Sequence, residues 1–453
     1  MNPSKRDFLT GAAVLTAAVA APALAQTSSA LPAGPPAGPK TTAAGPVPKD
    51  WIDPDTGHRI VRLSSQDHSQ SLYFNFPAYT PDEKWMVMNR ADGISLIDMR
   101  TFEEKNLYTG NLSAFQTGAS KAVVYARPRS ADKDNATQAT NDIFAIDVAT
   151  GQATKIAAVA RGFVTSVNAD DTLLVGSYAY KDVPLQPGPK VAGTDGGYNA
   201  VGPDGKPMSF AAAKEYRMAQ RLAADVPMDI FTIDIATGAR KVLVHSTDWL
   251  NHMQFSPTDP SLLLYCHEGP WHEVDRIWTI RTDGTGNRLM HKRMMNMEIA
   301  GHEFFNWDGS KIFYDLQTPR GEDFWLANVD LKTGKRVWYH MLRDEWSVHF
   351  NVSKDGTLFA GDGGDSEMVA RAPDGKYIYL FRPEIIEDLG VSAPNAADLV
   401  RPGVLRSEKL VNMKDHDYRL EPNLRFSPDG KWIIFHSNMH GPVHTYAVAV
   451  EKA

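Results

Sequence analysis

SPDGKWIIFHS, residues 427–437, sets a turn of Ser, Pro, Asp and Gly before an alternating run of apolar side chains. The same phrase returns as TPDEKWMVM (80–88), TGASKAVVYA (117–126), NADDTLLVG (168–176), SPTDPSLLLYC (256–266), NWDGSKIFYD (306–315) and SKDGTLFAGD (353–362), which makes seven copies. Each copy is followed by a second alternating phrase, among them ISLIDMRTFEE, IFAIDVATGQ, IFTIDIATGA, IWTIRTDGTG and WLANVDLKTG. Self-similarity at a fixed period decides the fold before any local motif does. Two hairpins in every stretch of roughly 40–50 residues is the spacing of a propeller blade. The expectation is an all-β chain folded as a seven-bladed β-propeller.

The seventh copy stops at YAVAVEKA and lacks the outer strand that follows the Thr-Gly turn in its siblings. TGHRIVRLSS (56–65) has the shape of TGARKVLVHS (237–246) and supplies that strand from the other end of the chain. Closing the last blade with the N-terminal strand leaves no sheet edge open. The propeller is therefore expected over residues 48–453.

Upstream, Lys5 and Arg6 precede an apolar run from Leu9 to Leu24 and a small-residue Ala23-Leu24-Ala25 cleavage site, so residues 1–25 read as a signal peptide. SKRDFL resembles the twin-arginine export motif with Lys in the first position, which implies export of a folded chain to the periplasm or beyond. Residues 26–47, rich in Ala, Pro, Gly, Ser and Thr, read as a disordered linker. Cys266 is the single cysteine, so no intrachain disulfide forms. A net charge of −7 without a basic cluster speaks against a nucleic-acid partner, and the leader is too short for a membrane span in the mature protein.

Two stretches interrupt the repeats. Residues 178–227, between blades three and four, hold a Gly/Pro-rich segment and then SFAAAKEYRMAQRLAAD, which has helix-forming composition. A second insertion is expected between Pro383 and Asn412. Either serves as a side wall for a site or as surface decoration.

Four residues stand at one register: His252, His302, His349 and Asn423 each lie four positions before the Ser or Asn that opens a turn. In a ring of blades such positions converge at one mouth of the channel; Phe76, Ser113 and Val164 hold them in blades one to three. Twelve of the 14 histidines fall at or after position 245, which places the site in the later half. The CHEGPWHEVDR loop adds His267 and Arg276. Glu421, two residues before Asn423, shares its strand face. His302 with Glu421 and Asn423 makes a mixed nitrogen and oxygen set suited to manganese, calcium or zinc. The bland reading, polar side chains around a wet channel, competes with this one. GDGGD (361–365) reads as a tight turn, and Trp271 and Trp346 as sugar platforms or core caps.

The stretch from TDWLNHMQFSPTDPSLLLYCHEGPWHEVDRIWTIRTDG through AGHEFFNWDGSKIFYDL resembles the oligogalacturonate lyases. Its CHEGP loop and HEF phrase follow in that family's order over about residues 228–320. The resemblance implies β-elimination on uronate-containing oligomers, with His252 as the catalytic histidine and His302 as a metal ligand. It also implies a divalent metal, manganese first. By position Glu421 and Asn423 replace two further histidine ligands, and Tyr418 replaces a glutamine. His267, Arg276, His349 and Arg419 are the expected substrate-binding residues for an acidic oligosaccharide. The family's charge-neutralising arginine has no clear counterpart; Arg217 and Arg221 of the insertion are the available stand-ins. The alternatives are a lyase or hydrolase for another acidic glycan, or a non-catalytic exported propeller that binds a glycan or protein.

Overall fold

Side-chain caps explain why the repeated phrases turn where they do. In the computed structural model Ser427 Oγ accepts the Trp432 N–H at 3.0 Å and donates to Asp429 at 2.6 Å. Ser353 repeats this with Leu358 and Asp355 at 2.9 and 2.6 Å, and Thr80 with Trp85 and Asp82 at 3.1 and 2.6 Å. Asn168 and Asn306 use an amide oxygen instead, accepting the N–H five residues on at 2.8 and 2.9 Å. The second turn has its own device: Asp147, Asp234 and Asp330 each accept the N–H and hydroxyl of the Thr three positions later. The next residue is Gly at φ +74°, +72° and +72°, a conformation costly for any side chain. These local bonds set hairpin register before any long-range contact forms.

The structure describes residues 46–129, 141–181, 202, 204–206, 208, 210–366, 368, 370–387 and 394–453. The expected signal peptide, nearly all of the linker and most of the Gly/Pro-rich part of the first insertion lie outside them. The described residues form an all-β fold of many small antiparallel sheets. Four are four-stranded meanders, opening on Gln70–Ser71, Leu112–Thr117, Phe163–Val167 and Trp249–Phe255. A larger sheet has eight strands. It consists of two consecutive meanders whose outer strands, Arg336–His340 and Arg401–Asn412, pair in parallel from Val337↔Arg401 to His340↔Val404. The stretch expected as an insertion after Pro383 is therefore strand at both ends, since Tyr377–Ile385 and Arg401–Asn412 pair over nearly their whole length.

The last sheet joins the two ends of the chain. His58–Arg62 lies antiparallel on His444–Lys452 with Ile60↔Val448 and Val61↔Ala447, and Asp50–Ile52 adds a further strand outside it. Apolar faces of successive sheets pack on each other. Leu264 and Ile277 of one sheet, for example, meet Ala300, Ile312, Tyr314 and Leu316 of the next. Each such fully buried side chain contributes roughly 1.5–3 kcal/mol.

Helix α1, Phe210–Ala223, is the helix expected from composition. It does not fall between two successive sheets, as expected, but inside one: it interrupts a hairpin without disturbing it, because Leu173–Ala179 still pairs with Met228–Asp234 residue for residue. Met218 pins the helix by burying itself against Trp271, Ile299 and the partly buried Trp249.

Candidate active site

Two β-bulges aim the leading histidines. In the strand Trp249–Phe255, Asn251 pairs with Cys266 and Gln254 with Leu264, so His252 and Met253 together oppose Tyr265. In Ile299–Phe305, Gly301 pairs with Asp315 and Phe304 with Phe313, so His302 and Glu303 together oppose Tyr314. An extra residue bends the strand and redirects its side chains. His252 and His302 accordingly adopt left-handed backbone, φ 51° and 47°, and Asn423 does the same at 53°. His349 reaches its place without this, one residue before the strand Phe350–Val352.

Four of the expected residues meet. His349 Nε2 lies 3.6 Å from Glu421 Oε2, and the His302 and His349 rings stand edge to face with centroids 5.0 Å apart. Tyr73 connects this group to His252: its hydroxyl is 3.3 Å from His349 Nε2, and its ring centroid 6.4 Å from that of His252. Behind them stands a layer of buried acids. Asp362 Oδ2 bonds His349 Nδ1 at 2.8 Å while its other oxygen accepts the Val348 and His349 N–H groups. Asp315 bonds His302 Nδ1 at 3.1 Å. Glu268 lies 3.5 Å from His252 Nε2 and accepts the Asn251 amide at 2.6 Å.

The charges around Glu268 and Glu421 are arranged to keep these two acids ionised. Burial works against the Glu268 carboxylate, but His252, Arg276 and the Asn251 amide outweigh it and hold its pKa well below the usual range. Burial likewise opposes Glu421, yet His349, Lys214, His302 and His252 bring it down to about 2. For His349 burial disfavours the charge, and Asp362 followed by Glu421 overcomes it and raises the pKa. Burial and the charges of Glu421, Glu303 and Glu268 push Tyr73 well above the ordinary phenol value. Tyr73 therefore stays a proton donor across the physiological range.

Other expected residues lie elsewhere. Asn423 is engaged at both ends of its amide, accepting the Phe74 N–H at 3.3 Å and donating to the Glu421 carbonyl at 2.9 Å. Arg276, expected to meet substrate, is 4% exposed and lies below the site, where Cys266, Glu303, Glu268 and Asp315 favour its charge. His267 neighbours Glu268 on a strand and so points to the opposite face; it stacks on Trp278 at 5.0 Å. Arg419 is exposed and paired with Asp417. Tyr418 is buried, its hydroxyl donating to the Asp362 carbonyl at 2.9 Å. Trp271 and Trp346 are both buried, which favours the core-cap reading. Among the described residues no three His, Cys, Asp or Glu side chains are grouped to hold a metal ion.

Several participants escaped the sequence reading. Asp362 sits inside GDGGD, which reads as a turn, and Asp315 inside an apolar strand. Tyr73 follows a two-residue strand with no visible repeat around it. Lys214 comes from α1. A cavity of about 360 Å³ lies on the side of the turn phrases, lined by Thr80, Pro257, Trp307 and Lys354 among others, and contains none of the clustered histidines. Phe74 separates the two spaces, since it lines that cavity and also packs 4.5 Å from the His349 ring.

A family model described as oligogalacturonate lyase matches residues 201–453. The oligogalacturonide lyase of Pectobacterium atrosepticum is 26% identical over 228 residues, 49% of this chain and 55% of that protein. The oligogalacturonate lyase of Dickeya dadantii matches over the same share at the same identity. The match thus spans about half the length of these relatives. Among solved structures, an oligogalacturonate lyase in complex with manganese superposes with a TM-score of 0.65 at 21% identity, covering 89% of this chain and 96% of that one. The oligogalacturonate lyase of Vibrio parahaemolyticus gives 0.64 at 20% identity, with the same coverage. At such identities the two structures speak for the fold.

Proposed function

This chain belongs to the oligogalacturonate lyase family, and on that premise we propose that it cleaves uronate-containing oligosaccharides by β-elimination. The observation that carries the reading is the meeting of His252, His302, His349 and Glu421 over a layer of buried acids. A binding scaffold has no need to place a carboxylate behind each imidazole.

In this mechanism His252 takes the proton from the carbon beside the uronate carboxylate. The electron pair left behind forms a double bond to the neighbouring carbon, and the bond from that carbon to the glycosidic oxygen breaks. Glu268 orients the His252 imidazole and stabilises the charge it acquires, as an acid behind a histidine base does elsewhere. Tyr73 is the donor placed to protonate the departing oxygen, because burial and its acidic neighbours keep its hydroxyl protonated.

A divalent cation, manganese first and calcium or zinc after it, is part of this proposal. Asp315 and Asp362 occupy Nδ1 of His302 and His349, so Nε2 of each ring and the Glu421 carboxylate would be its ligands; among the described residues these donors are not grouped around one point, and His349 Nε2 would exchange its Tyr73 contact for the ion. When bound, such an ion neutralises the substrate carboxylate as charge develops on it. Asn423 then acts as a brace for Glu421 through its hydrogen bond to that residue's carbonyl.

The proposal extends to place and architecture. The leader at residues 1–25 supports a periplasmic or secreted protein; among the described residues no helix is long and apolar enough to cross a membrane. The eight-stranded sheet divides into two meanders, which supports seven blades in a ring closed by His58–Arg62. The test of function is the ultraviolet absorbance of the new double bond when purified protein meets galacturonate oligomers. A signal that falls with chelator and returns with manganese is expected. No signal from folded, manganese-loaded protein overturns the reading. In a parallel metal analysis His302→Ala should lower bound manganese.

A further inference from the structure

The lyase chemistry calls for a positive charge at the uronate carboxylate, and Arg221 of the insertion is too buried to supply it. Arg221 is 6% exposed, lies over the Trp249 ring at 5.8 Å and has its pKa lowered to about 10 by burial. Lys214 differs from it. It is part-exposed, on the second turn of α1, and shares its helix face with Met218 and Arg221. Met218 anchors that face to Trp271 and Ile299, and the adjacent Glu215 is tied to Arg320, which fixes the turn from its other side.

The Lys214 ammonium stands 5.5 Å over the Trp271 ring. Trp271 in turn backs onto the strand that carries His302, its indole 3.7 Å from where a Cβ on Gly301 would be. The side chain makes no ion pair among the described residues, yet its charge reaches both Glu421 and His349. It therefore lies at the rim of the cluster with donor capacity to spare.

We propose that Lys214 is the substrate-carboxylate anchor of this enzyme, a cation delivered to the site by the inserted helix. The proposal rests on the lyase reading and deepens it. Trp271 holds the ammonium by cation–π attraction until the substrate arrives. A uronate carboxylate entering beside His252 and Glu421 meets the negative charge of Glu421, and Lys214 offsets it alongside the cation of the proposed function. With Lys214 in place, the acid form of the sugar is favoured over its neutral methyl ester.

The experiment uses the full chain in a His252→Ala background, where turnover is removed. Binding of a galacturonate trimer and of its methyl ester is measured by titration calorimetry, with and without Lys214→Ala. Lys214→Ala should weaken the acid by about tenfold, the loss expected for one charge-assisted bond, and change the ester by less than about twofold. Lys214→Arg should restore most of the difference. Equal loss for acid and ester, or no loss for the acid, overturns the assignment, as does a parent chain that binds no uronate. Failure of the lyase reading looks different: the protein binds the acid through Lys214, while the enzyme with His252 intact makes no unsaturated product.

Discussion

His252 and Glu268 stand for what one residue pair can do here. The imidazole is part-exposed and its acid partner buried, so the base faces substrate while its charge is stabilised from behind. His252→Ala should lower kcat on uronate oligomers by about 10²–10⁴, the usual share of a general base, with an unchanged circular dichroism spectrum. At this scale the sequence was read with partial success. The register of His252, His302 and His349 was visible because each counts four positions back from a turn residue. The acids behind them were not, since Asp315 and Asp362 become partners only when the neighbouring strand is laid alongside. Arg276 is expected at the site from its place in the CHEGPWHEVDR loop and Arg419 from the resemblance; in the structure Arg276 is buried and Arg419 pairs with Asp417.

Among elements, the bulged strand makes the site. A left-handed backbone at His252 and His302 costs an ordinary side chain about 1–2 kcal/mol, and glycine much less. His252→Gly should therefore melt higher than His252→Ala by about 1 kcal/mol of stability, read from paired denaturant curves; equal stability would mean the bulge relaxes. The strand that follows Ser347 relies instead on Asp362, which ties down His349 and two backbone N–H groups with no exposure to water. Asp362→Ala should cost about 3–5 kcal/mol, since it leaves a buried partner unpaired. Turns were the most legible elements, because a Ser, Thr, Asn or Asp cap needs nothing beyond its own five residues. Bulges were invisible, since they exist only as a mismatch between two strands. The stretch after Pro383 was misread for a related reason: its strands extend past the repeat and pair with the outer strand of the preceding meander.

Over the whole molecule the repeats appear as successive small sheets of an all-β chain, and buried histidines make its stability depend on pH. His436, 3% exposed and bonded to Ser71, has its pKa lowered to about 3 by burial first and then by His416 and Arg425. The unfolded chain has this group near 6.5, so between those values the unfolded state binds the extra proton and stability falls as pH falls. At pH 5 the loss from this group is about 2 kcal/mol. His436→Gln should flatten the fall in melting temperature between pH 7 and pH 5; an unchanged slope would place the dependence elsewhere. The central claim is elimination, and the masses of the products of a defined galacturonate trimer test it most directly. The account predicts fragments whose masses add up to that of the substrate, the new non-reducing end carrying the double bond. Fragments heavier in total by one water would mean hydrolysis and would contradict it.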